Sequence, residues 1–287
     1  MTLGFIVVIA VLIGANYSVM QLALEHTTPL LLTGMRVGIG CVALLVYARI
    51  RGETVPRDRH TLIGIGLVSI CITTLSSMTL VTGVGLVPAG VAALLSSLVP
   101  MWTAVLAFGL LSERLSVLAA TGVAIGVVGA LVLASPALDG ATDPKGVIIL
   151  LFSGLAWAAG LVVMRWWNFA GVSPLMLTAV QLAMSTVVVI PIALVVEGTG
   201  GTDMGLGLIG PLFYASVPAT AVTFALMASV TRRASATQAA SVAYLTPVFG
   251  VAFAWVVRGD GLSAVEWVGG ALLIVGVVLV TTPRRRT

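Results

Sequence analysis

Ten apolar stretches, separated by short polar breaks, constrain this chain more than any other feature. Each is about 20 residues long, the length at which a helix crosses the hydrocarbon core of a bilayer. The chain is 59% hydrophobic and 8% charged, whereas soluble domains carry about 25% charged residues. This composition excludes a large soluble core. The sequence therefore predicts an all-α polytopic membrane protein with ten transmembrane helices.

The breaks between the stretches contain proline, glycine or charged residues, which are typical of loops. The first stretch has no basic residues before it and no evident cleavage site. We therefore interpret it as a retained first helix rather than a signal peptide. The predicted spans cover residues 3–24, 29–49, 61–82, 87–111, 115–134, 146–166, 174–196, 207–230, 235–257 and 264–282.

Residues 236–280 repeat residues 89–133 at a constant offset of 147 positions, without a gap. Shared apolar composition explains matched alanines and valines, but not a proline, two glycines and a Leu-Ser pair in one register. The sequence therefore predicts two related halves, residues 1–140 and 141–287. The informative pairs are Pro100 with Pro247, Gly122 with Gly269, Gly129 with Gly276, and Leu115-Ser116 with Leu262-Ser263.

Each half contains five spans, and this odd number has a topological consequence. The second half must enter the membrane with the orientation opposite to that of the first. Inverted repeats of this kind give many secondary transporters two interconvertible states, one open to each side, with the substrate site near mid-membrane between the halves. The residues thus predict two inverted five-helix repeats and indicate a transporter.

Basic residues are distributed unequally between the two sets of loops. If the N-terminus lies in the cytoplasm, eleven basic residues fall on the inner side and only Lys145 and Arg258 fall on the outer side. Cytoplasmic loops of membrane proteins carry an excess of lysine and arginine, so we expect both termini in the cytoplasm. The inner residues are Arg49, Arg51, Arg57, Arg59, Arg114, Arg165, Arg232, Arg233, Arg284, Arg285 and Arg286.

Arg36 is the only basic residue well inside a span. It lies about 10 Å past Pro29 at 1.5 Å per residue. An arginine near the bilayer centre costs about 2.5–3.5 kcal/mol on insertion scales, so a buried one indicates function. It could bind a carboxylate or phosphate of a substrate, or it could extend to the interface or cap helix carbonyls. Its repeat counterpart is the neutral Gln181, which weakens a symmetric structural role.

Other polar and aromatic side chains within the spans are candidates for a substrate cavity. Amides and hydroxyls in lipid require a partner, which is either a neighbouring helix or a wet cavity. Aromatic rings stack on flat or cationic solutes, or fill the core. We expect a cavity lined mainly by spans 1, 3, 4, 6, 8 and 9. The predicted substrate-binding residues are Asn16, Tyr17, Arg36, Ser77, Trp102, Trp157, Tyr214 and Tyr244.

Proline and glycine add two open alternatives. Pro100 and Pro247 lie mid-span, where each removes a backbone hydrogen bond and kinks its helix. The kink could free carbonyls beside a cavity or be a static bend. The glycines of spans 5 and 10 allow close helix approach, either within one chain or between two. A monomer and a homodimer both remain open on this reading.

The complete pattern resembles a ten-helix EamA-type permease of the drug/metabolite transporter superfamily. The resemblance implies a bacterial inner-membrane carrier for small metabolites, often amino acids or related compounds, which are commonly exported. The family's Gly-Glu-Arg turn reads Ser-Glu-Arg in the first half and Gly-Asp-Gly in the second. The resemblance rests on Gly14-Ala15-Asn16-Tyr17, on Pro29 and Arg36, on Ala89–Pro100 continuing through Ser112-Glu113-Arg114-Leu115 to Gly122 and Gly129, and on the second copy from Ala236 to Gly276.

We therefore expect a secondary transporter that moves small organic metabolites by alternating access. A channel-like facilitator is an alternative, although no ring of charge or filter sequence is visible. A lipid-handling protein or intramembrane enzyme is another, but no mid-membrane catalytic pair is present. No metalloprotease, aspartyl-protease or phosphate-loop motif occurs, and no acidic residue lies deep in a span. We expect no catalytic residue, metal or cofactor, and we expect a small solute and the bilayer, not nucleic acid, as partners.

Overall fold

The computed structural model describes residues 2–113, 115–137, 142–167, 169, 171–227 and 236–282. Within these ranges the regular structure is helical and contains no strand. The ten helical segments are α1 (Thr2–Leu24), α2 (Pro29–Ile50), α3 (Arg59–Val84), α4 (Ala89–Leu110), α5 (Val117–Ala134), α6 (Pro144–Trp166), α7 (Pro174–Val196), α8 (Leu206–Met227), α9 (Ala236–Arg258) and α10 (Ala264–Thr281).

These helices confirm the predicted all-α polytopic membrane fold. Nine of them, over the described ranges, are long and apolar enough to cross a membrane, and the described apolar part of α9, Val242–Arg258, is shorter. Wherever both are described, the predicted and observed ends differ by no more than two residues. The apolar stretches alone therefore located the helices well.

The helix starts are determined by local chemistry. The first N–H groups of a helix have no partner within it, so a side-chain oxygen just before the helix stabilises its start. Ser263 and Glu266 form a reciprocal capping box at α10, and Pro29, Pro144 and Pro174 occupy the first turns of α2, α6 and α7. Side chains that accept such a bond are Asp58, Ser116, Asp143, Ser173 and Ser263.

The helices pack mainly in pairs that join the two halves of the chain. α5 packs against α10, α2 against α7, and α1 against α9. α6 packs against both α3 and α4, and α8 packs against α1 and α2. The largest hydrophobic cluster of the described residues takes members from every helix except α7. The centre of the bundle is therefore built jointly by both halves.

Glycines allow α5 and α10 to approach closely within one chain. A Cβ atom added at Gly129 would lie 2.7 Å from the backbone nitrogen of Leu273. One added at Gly269 would lie 2.6 Å from the backbone nitrogen of Leu133. Real Cβ atoms do not reach such distances to backbone. These glycines therefore serve a contact within the monomer, which resolves one alternative that the sequence left open.

α3 and α8 each contain a turn of π-helix at equivalent positions. The two segments are Ser69–Leu75 and Val217–Val222, and the offset of 147 places the first on residues 216–222. π-turns are rare and occur frequently at functional sites. The same departure from regular helix thus occurs once in each half.

The turns after α4 and α9 also share one backbone geometry. Ser112 and Gly259, which are 147 positions apart, both adopt the left-handed conformation, with φ of 55° and 71°. The next N–H in each turn, of Glu113 and of Asp260, donates across 3.3 Å to the carbonyl six residues earlier. The repeat detected in the sequence is therefore accompanied by repeated local structure.

The two mid-span prolines occur in different local structures. α4 is interrupted at Ser97 and Leu98, whose N–H groups bond only three residues back, just before Pro100. α9 is helical throughout and simply contains Pro247. The hydroxyl of Ser97 also bonds the carbonyl of Leu94 at 2.6 Å, which competes with the regular helix at that turn.

We predict that Gly269→Ala destabilises the protein, whereas Gly210→Ala does not. The added methyl at position 269 would meet the backbone of α5, which must move, whereas nothing lies within 4 Å of a Cβ at Gly210 on α8. Overpacking of this kind costs about 1–3 kcal/mol. The thermal unfolding midpoint in detergent should fall for Gly269→Ala only. Equal midpoints for the two variants would contradict the close α5–α10 contact.

Candidate functional site

Five of the eight predicted site residues lie at one depth in the bundle. The reference is the α1–α2 end, defined as the end of the bundle where α1 finishes and α2 begins. Tyr17 lies seven residues before the end of α1, Arg36 seven after the start of α2, and Ser77 seven before the end of α3. At 1.5 Å per residue this depth is about 10 Å. Asn16 on α1 and Tyr214 on α8 are one residue deeper.

The other three predicted residues form a second, aromatic level. Trp102 and Trp157 each lie 13 residues after the start of α4 and α6, and Tyr244 lies 14 before the end of α9. Their depth from the α1–α2 end is about 20 Å along the helix axes. All three side chains are partly buried. The eight predicted residues therefore lie at two depths, a polar level nearer the α1–α2 end and an aromatic level farther from it.

Arg36 is a buried cation without an ionic partner in the described residues. It is 8% exposed, and its Nε has no hydrogen-bond partner. The ion pairs of the described residues do not include Arg36, so no described carboxylate oxygen lies within 4 Å of its guanidinium. This burial does not fit a side chain extended into interfacial water. A buried, unpaired charge is costly, which favours the functional interpretation of Arg36.

Tyr17 is the polar neighbour of Arg36. Its hydroxyl lies close enough to the side chains of Ser96 and Arg36 to interact with both electrostatically. Ser96 donates its own hydrogen to the carbonyl of Ala92 at 2.8 Å. Three helices, α1, α2 and α4, thereby converge on one polar position.

Ser96 was not among the predicted site residues, although the sequence contains a signal for it. It lies seven residues after the start of α4, the same distance that separates Arg36 from the start of α2. A comparison of depths along the spans would have found it. A count of hydroxyls, which are common in membrane helices, could not distinguish it from its neighbours.

The ring of Tyr17 is held by a close contact between α1 and α9. A Cβ added at Gly14 would lie 2.7 Å from the Cβ of Phe249 and 2.8 Å from the backbone nitrogen of Gly250. The Cδ2 of Tyr17 lies 3.7 Å from the Cβ position of Gly250. Gly14 and Gly250 let α1 and α9 touch about one turn along α1 from Tyr17. This packing holds the Tyr17 ring in place.

Three further polar atoms near these levels are buried and unpartnered. They are the Oδ1 of Asn16, an acceptor, the hydroxyl Oγ of Ser18, and the Nε1 of Trp102, a donor. An unpaired polar group in an apolar medium loses its hydrogen bond to water, at a cost of about 1–3 kcal/mol. Gln21, in contrast, donates to the carbonyls of Val84 and Val87 at 2.9 and 2.7 Å. The amide nitrogen of Gln21 thus links helices, while its Oε1, like the Oδ1 of Asn16, is buried without a partner.

The remaining predicted residues occupy less distinctive places. Ser77 is buried, and the hydroxyl of Tyr214 donates to the carbonyl of Leu12 at 3.2 Å. Tyr244 and Trp102 pack against the hydrophobic cluster that contains Tyr17. Trp157 is partly buried and lies outside the described members of that cluster.

The other hydroxyls of α3 link helices rather than line a pathway. Ser76 and Ser153 pair at 3.1 Å and join α3 to α6. Thr74 donates to Ser185 at 3.1 Å, and Ser69 donates to the carbonyl of Gln181 at 2.8 Å. These bonds join α3 to α7. For these hydroxyls the partner is therefore a neighbouring helix rather than a wet cavity.

Two surface clefts lie away from the predicted site. One, of about 750 Å³, opens at the end opposite the α1–α2 end, and Glu113 and Ser116 help to line it. The other, of about 270 Å³, lies at the α1–α2 end, where Asp260 and Ser263 occupy equivalent positions. Neither cavity is lined by a predicted site residue. They are clefts at equivalent turns of the two halves.

An ion pair ties the helices together beside each cleft. Arg165 at the end of α6 lies 3.5 Å from Glu113 in the α4–α5 turn. Arg258 at the end of α9 lies 2.7 Å from Glu25 at the end of α1. All four side chains are substantially exposed to solvent. Exposed pairs contribute about 0–1 kcal/mol, so these pairs bias the packing of the ends without locking it.

Comparison with known proteins agrees with this architecture. The model of the EamA-like transporter family matches residues 1–135 and 144–282. The chain belongs to the EamA-like transporter family. It is 28% identical over 288 residues to the uncharacterized inner membrane transporter YedA of Escherichia coli (strain K12), covering 97% of this chain and 90% of that protein.

Two further similarities extend over nearly the whole chain. A probable amino-acid metabolite efflux pump of Salmonella typhimurium is 26% identical, covering 96% of this chain and 93% of the pump. A solved crystal structure superposes with a TM-score of 0.69 at 17% identity, covering 96% of this chain and 94% of that one, which shows a shared fold. The chain is therefore a multi-pass membrane transporter of the drug/metabolite transporter superfamily.

We predict that Arg36→Gln makes the protein more stable. The substitution removes an uncompensated buried charge and introduces the residue type that the equivalent position, Gln181, already holds. The matched control is Arg49→Gln, which changes an exposed arginine of the same helix. In detergent without solutes, the unfolding midpoint should rise for Arg36→Gln and stay constant for the control. A fall for Arg36→Gln would indicate that Arg36 holds the bundle together instead.

Proposed function

We propose that this protein is a secondary transporter that exports small organic metabolites across the bacterial inner membrane by alternating access. One observation carries the proposal. A membrane-buried arginine has no described counter-ion, and the unpaired acceptor of Asn16 lies at nearly the same depth. Charged groups inside membrane helices are rare and mark substrate or ion pathways.

The packing of the helices supports a twofold relation between the halves. In the repeat, each helix of the first half corresponds to the helix five positions later, so that α1 corresponds to α6 and α4 to α9. Exchanging each helix with its counterpart converts the pair α1–α9 into α6–α4, and α3–α6 into α8–α1. It leaves α2–α7, α5–α10 and α4–α9 unchanged. All of these pairs are in contact. Together with the repeated π-turns and the repeated turn geometry, this favours the predicted inverted repeats, with boundaries near residues 140 and 141. Such repeats provide the two states that alternating access requires.

Relatives and site chemistry support small organic solutes as the substrate class. Two relatives, from Salmonella typhimurium and Escherichia coli, are described as probable amino-acid metabolite efflux pumps. Amino-acid metabolites contain carboxylates, which arginine binds with two parallel hydrogen bonds. The aromatic level offers rings on which an apolar side chain can pack. Export is therefore the direction that we propose.

Charge supports an orientation with both termini in the cytoplasm. The described residues Arg49, Arg51, Arg57, Arg59 and Arg165 all lie at the end opposite the α1–α2 end. An excess of basic residues marks the cytoplasmic side. A thiol placed at Thr282 should react with impermeant reagents only from the cytoplasm. The other inner residues fall outside the described part of the chain: Arg114, Arg232, Arg233, Arg284, Arg285 and Arg286.

The direct test is counterflow in proteoliposomes. Vesicles are loaded with a high concentration of one unlabelled solute and receive a trace of the same labelled solute outside. A carrier that alternates accumulates the label transiently, because loaded carriers exchange faster than empty ones return. The panel comprises N-acetylated, free and amidated forms of the common amino acids. We expect saturable counterflow for at least one form, and we expect Arg49→Gln to retain it.

Two results would contradict the proposal. Flux that rises linearly with concentration and shows no counterflow would favour the channel-like facilitator. No protein-dependent flux or thermal stabilisation for any solute of the panel would remove the support for a metabolite carrier. It would return attention to a lipid-handling role or an intramembrane enzyme.

A further inference from the structure

We propose that the transported form of the substrate carries one net negative charge, and that the membrane potential drives its export with Arg36 as its counter-charge. This inference rests on the proposed carrier function and goes beyond it, because it specifies the charge of the substrate and the source of energy. Its basis is the electrical balance of the polar level around Arg36, where Tyr17 and Ser96 are the neighbouring polar side chains.

The empty polar level has a charge of plus one. An arginine keeps its proton at neutral pH even when it is buried. Arg36 is more than nine-tenths buried, its Nε is unpartnered, and no described carboxylate is within ion-pair distance. Tyr17 and Ser96 are neutral hydroxyls, and Asn16 is a neutral amide. The level therefore has one positive charge, and no acidic side chain among the described residues balances it.

The acidic groups at the α1–α2 end of the bundle are already engaged. Glu197 accepts the backbone N–H groups of Leu30 and Leu31 at 2.9 and 3.1 Å, at the start of α2. Glu266 completes the capping box of α10, and Glu25 pairs with Arg258. These carboxylates therefore have structural roles at the membrane boundary.

A single negative charge on the solute complements this level. A carboxylate placed on Arg36 forms a bidentate, charge-assisted pair, and it makes the loaded level neutral. The free Oδ1 of Asn16 can then accept an N–H or O–H of the solute. A zwitterion would leave the level with its positive charge, and a cation would raise the charge to plus two. Burying either state away from water is more costly than burying the neutral one.

This balance assigns the voltage-sensitive step. When a monoanion is bound, the loaded level is neutral and its change of access moves no net charge. When the solute has left, the empty level is positive, and the negative potential of the cytoplasm favours its return to the inward-facing state. Each cycle exports one negative charge. A potential of 100 mV can then support an outward gradient of about 50-fold without a coupling ion.

The test measures exchange and net flux separately, at zero and at 100 mV, in proteoliposomes with an imposed potassium potential. The probe is the solute of the acetylated, free and amidated panel that gives the strongest counterflow. We expect this solute to be the acetylated, monoanionic form. Exchange should be independent of voltage, whereas net efflux from the negatively polarised compartment should rise several-fold. Arg49→Gln should behave as the wild type does.

Substitutions at position 36 separate this inference from a merely structural role. In Arg36→Gln the empty level is neutral and the loaded one negative, so exchange itself should become voltage-dependent. The KM should rise at least tenfold, because a charge-assisted bond is lost. Arg36→Lys restores the positive charge and should restore voltage-independent exchange, although with weaker binding.

Several outcomes would overturn the inference. Counterflow confined to zwitterions or cations would do so, as would net efflux that ignores the potential but follows a proton gradient. An Arg36→Gln variant with voltage-independent exchange would also do so. In each of these cases the carrier function stands. If no solute shows counterflow, the proposed function itself fails, and the two failures are thereby distinguished.

Discussion

Hydrocarbon offers no hydrogen bonds, so every polar group of this bundle must be satisfied within the protein or by something it binds. Most of them are. Membrane-buried hydroxyls bond a carbonyl one turn back or a neighbouring helix, as Thr33 bonds Pro29 and Ser76 pairs with Ser153. Gln21 joins two carbonyls at the α3–α4 turn. Among the buried side-chain atoms that the described residues leave unpartnered, the Nε of Arg36 is the one that belongs to a charged group.

The two halves provide similar scaffolds but different chemistry. The π-turns of α3 and α8, and the left-handed residues Ser112 and Gly259, recur at one offset. The site does not repeat. Where the first half has Arg36, the second has the neutral residue Gln181. The backbone carbonyl of Gln181 accepts a hydrogen bond from the hydroxyl of Ser69. In the proposed alternating-access cycle, the features that the halves share would allow the movement, and the residues in which they differ would select the solute.

Much of this architecture could be predicted from the sequence because lipid imposes strong rules on it. Apolar length fixed the helix ends to within two residues, and the register of the repeat anticipated the shared turns. Tertiary packing was less accessible. Nothing local indicates that the amide nitrogen of Gln21 links helices, and the position of Ser96 beside Tyr17 follows only from tertiary packing. The equivalent prolines Pro100 and Pro247 also lie in an interrupted helix, α4, and in a continuous one, α9. Ser97, whose hydroxyl bonds the carbonyl of Leu94, is present only in α4.

Side-specific thiol labelling at position 96 tests most directly whether one polar level serves both sides of the membrane. Cys41 and Cys71 are replaced by alanine, Ser96→Cys reports on the site, and Thr282→Cys marks the cytoplasmic face. An impermeant anionic reagent should modify Ser96→Cys both in intact cells and in inverted vesicles, and transported solute should protect it in both. Thr282→Cys should react only in inverted vesicles. Modification of Ser96→Cys from one side alone, whether or not solute is present, would contradict the account.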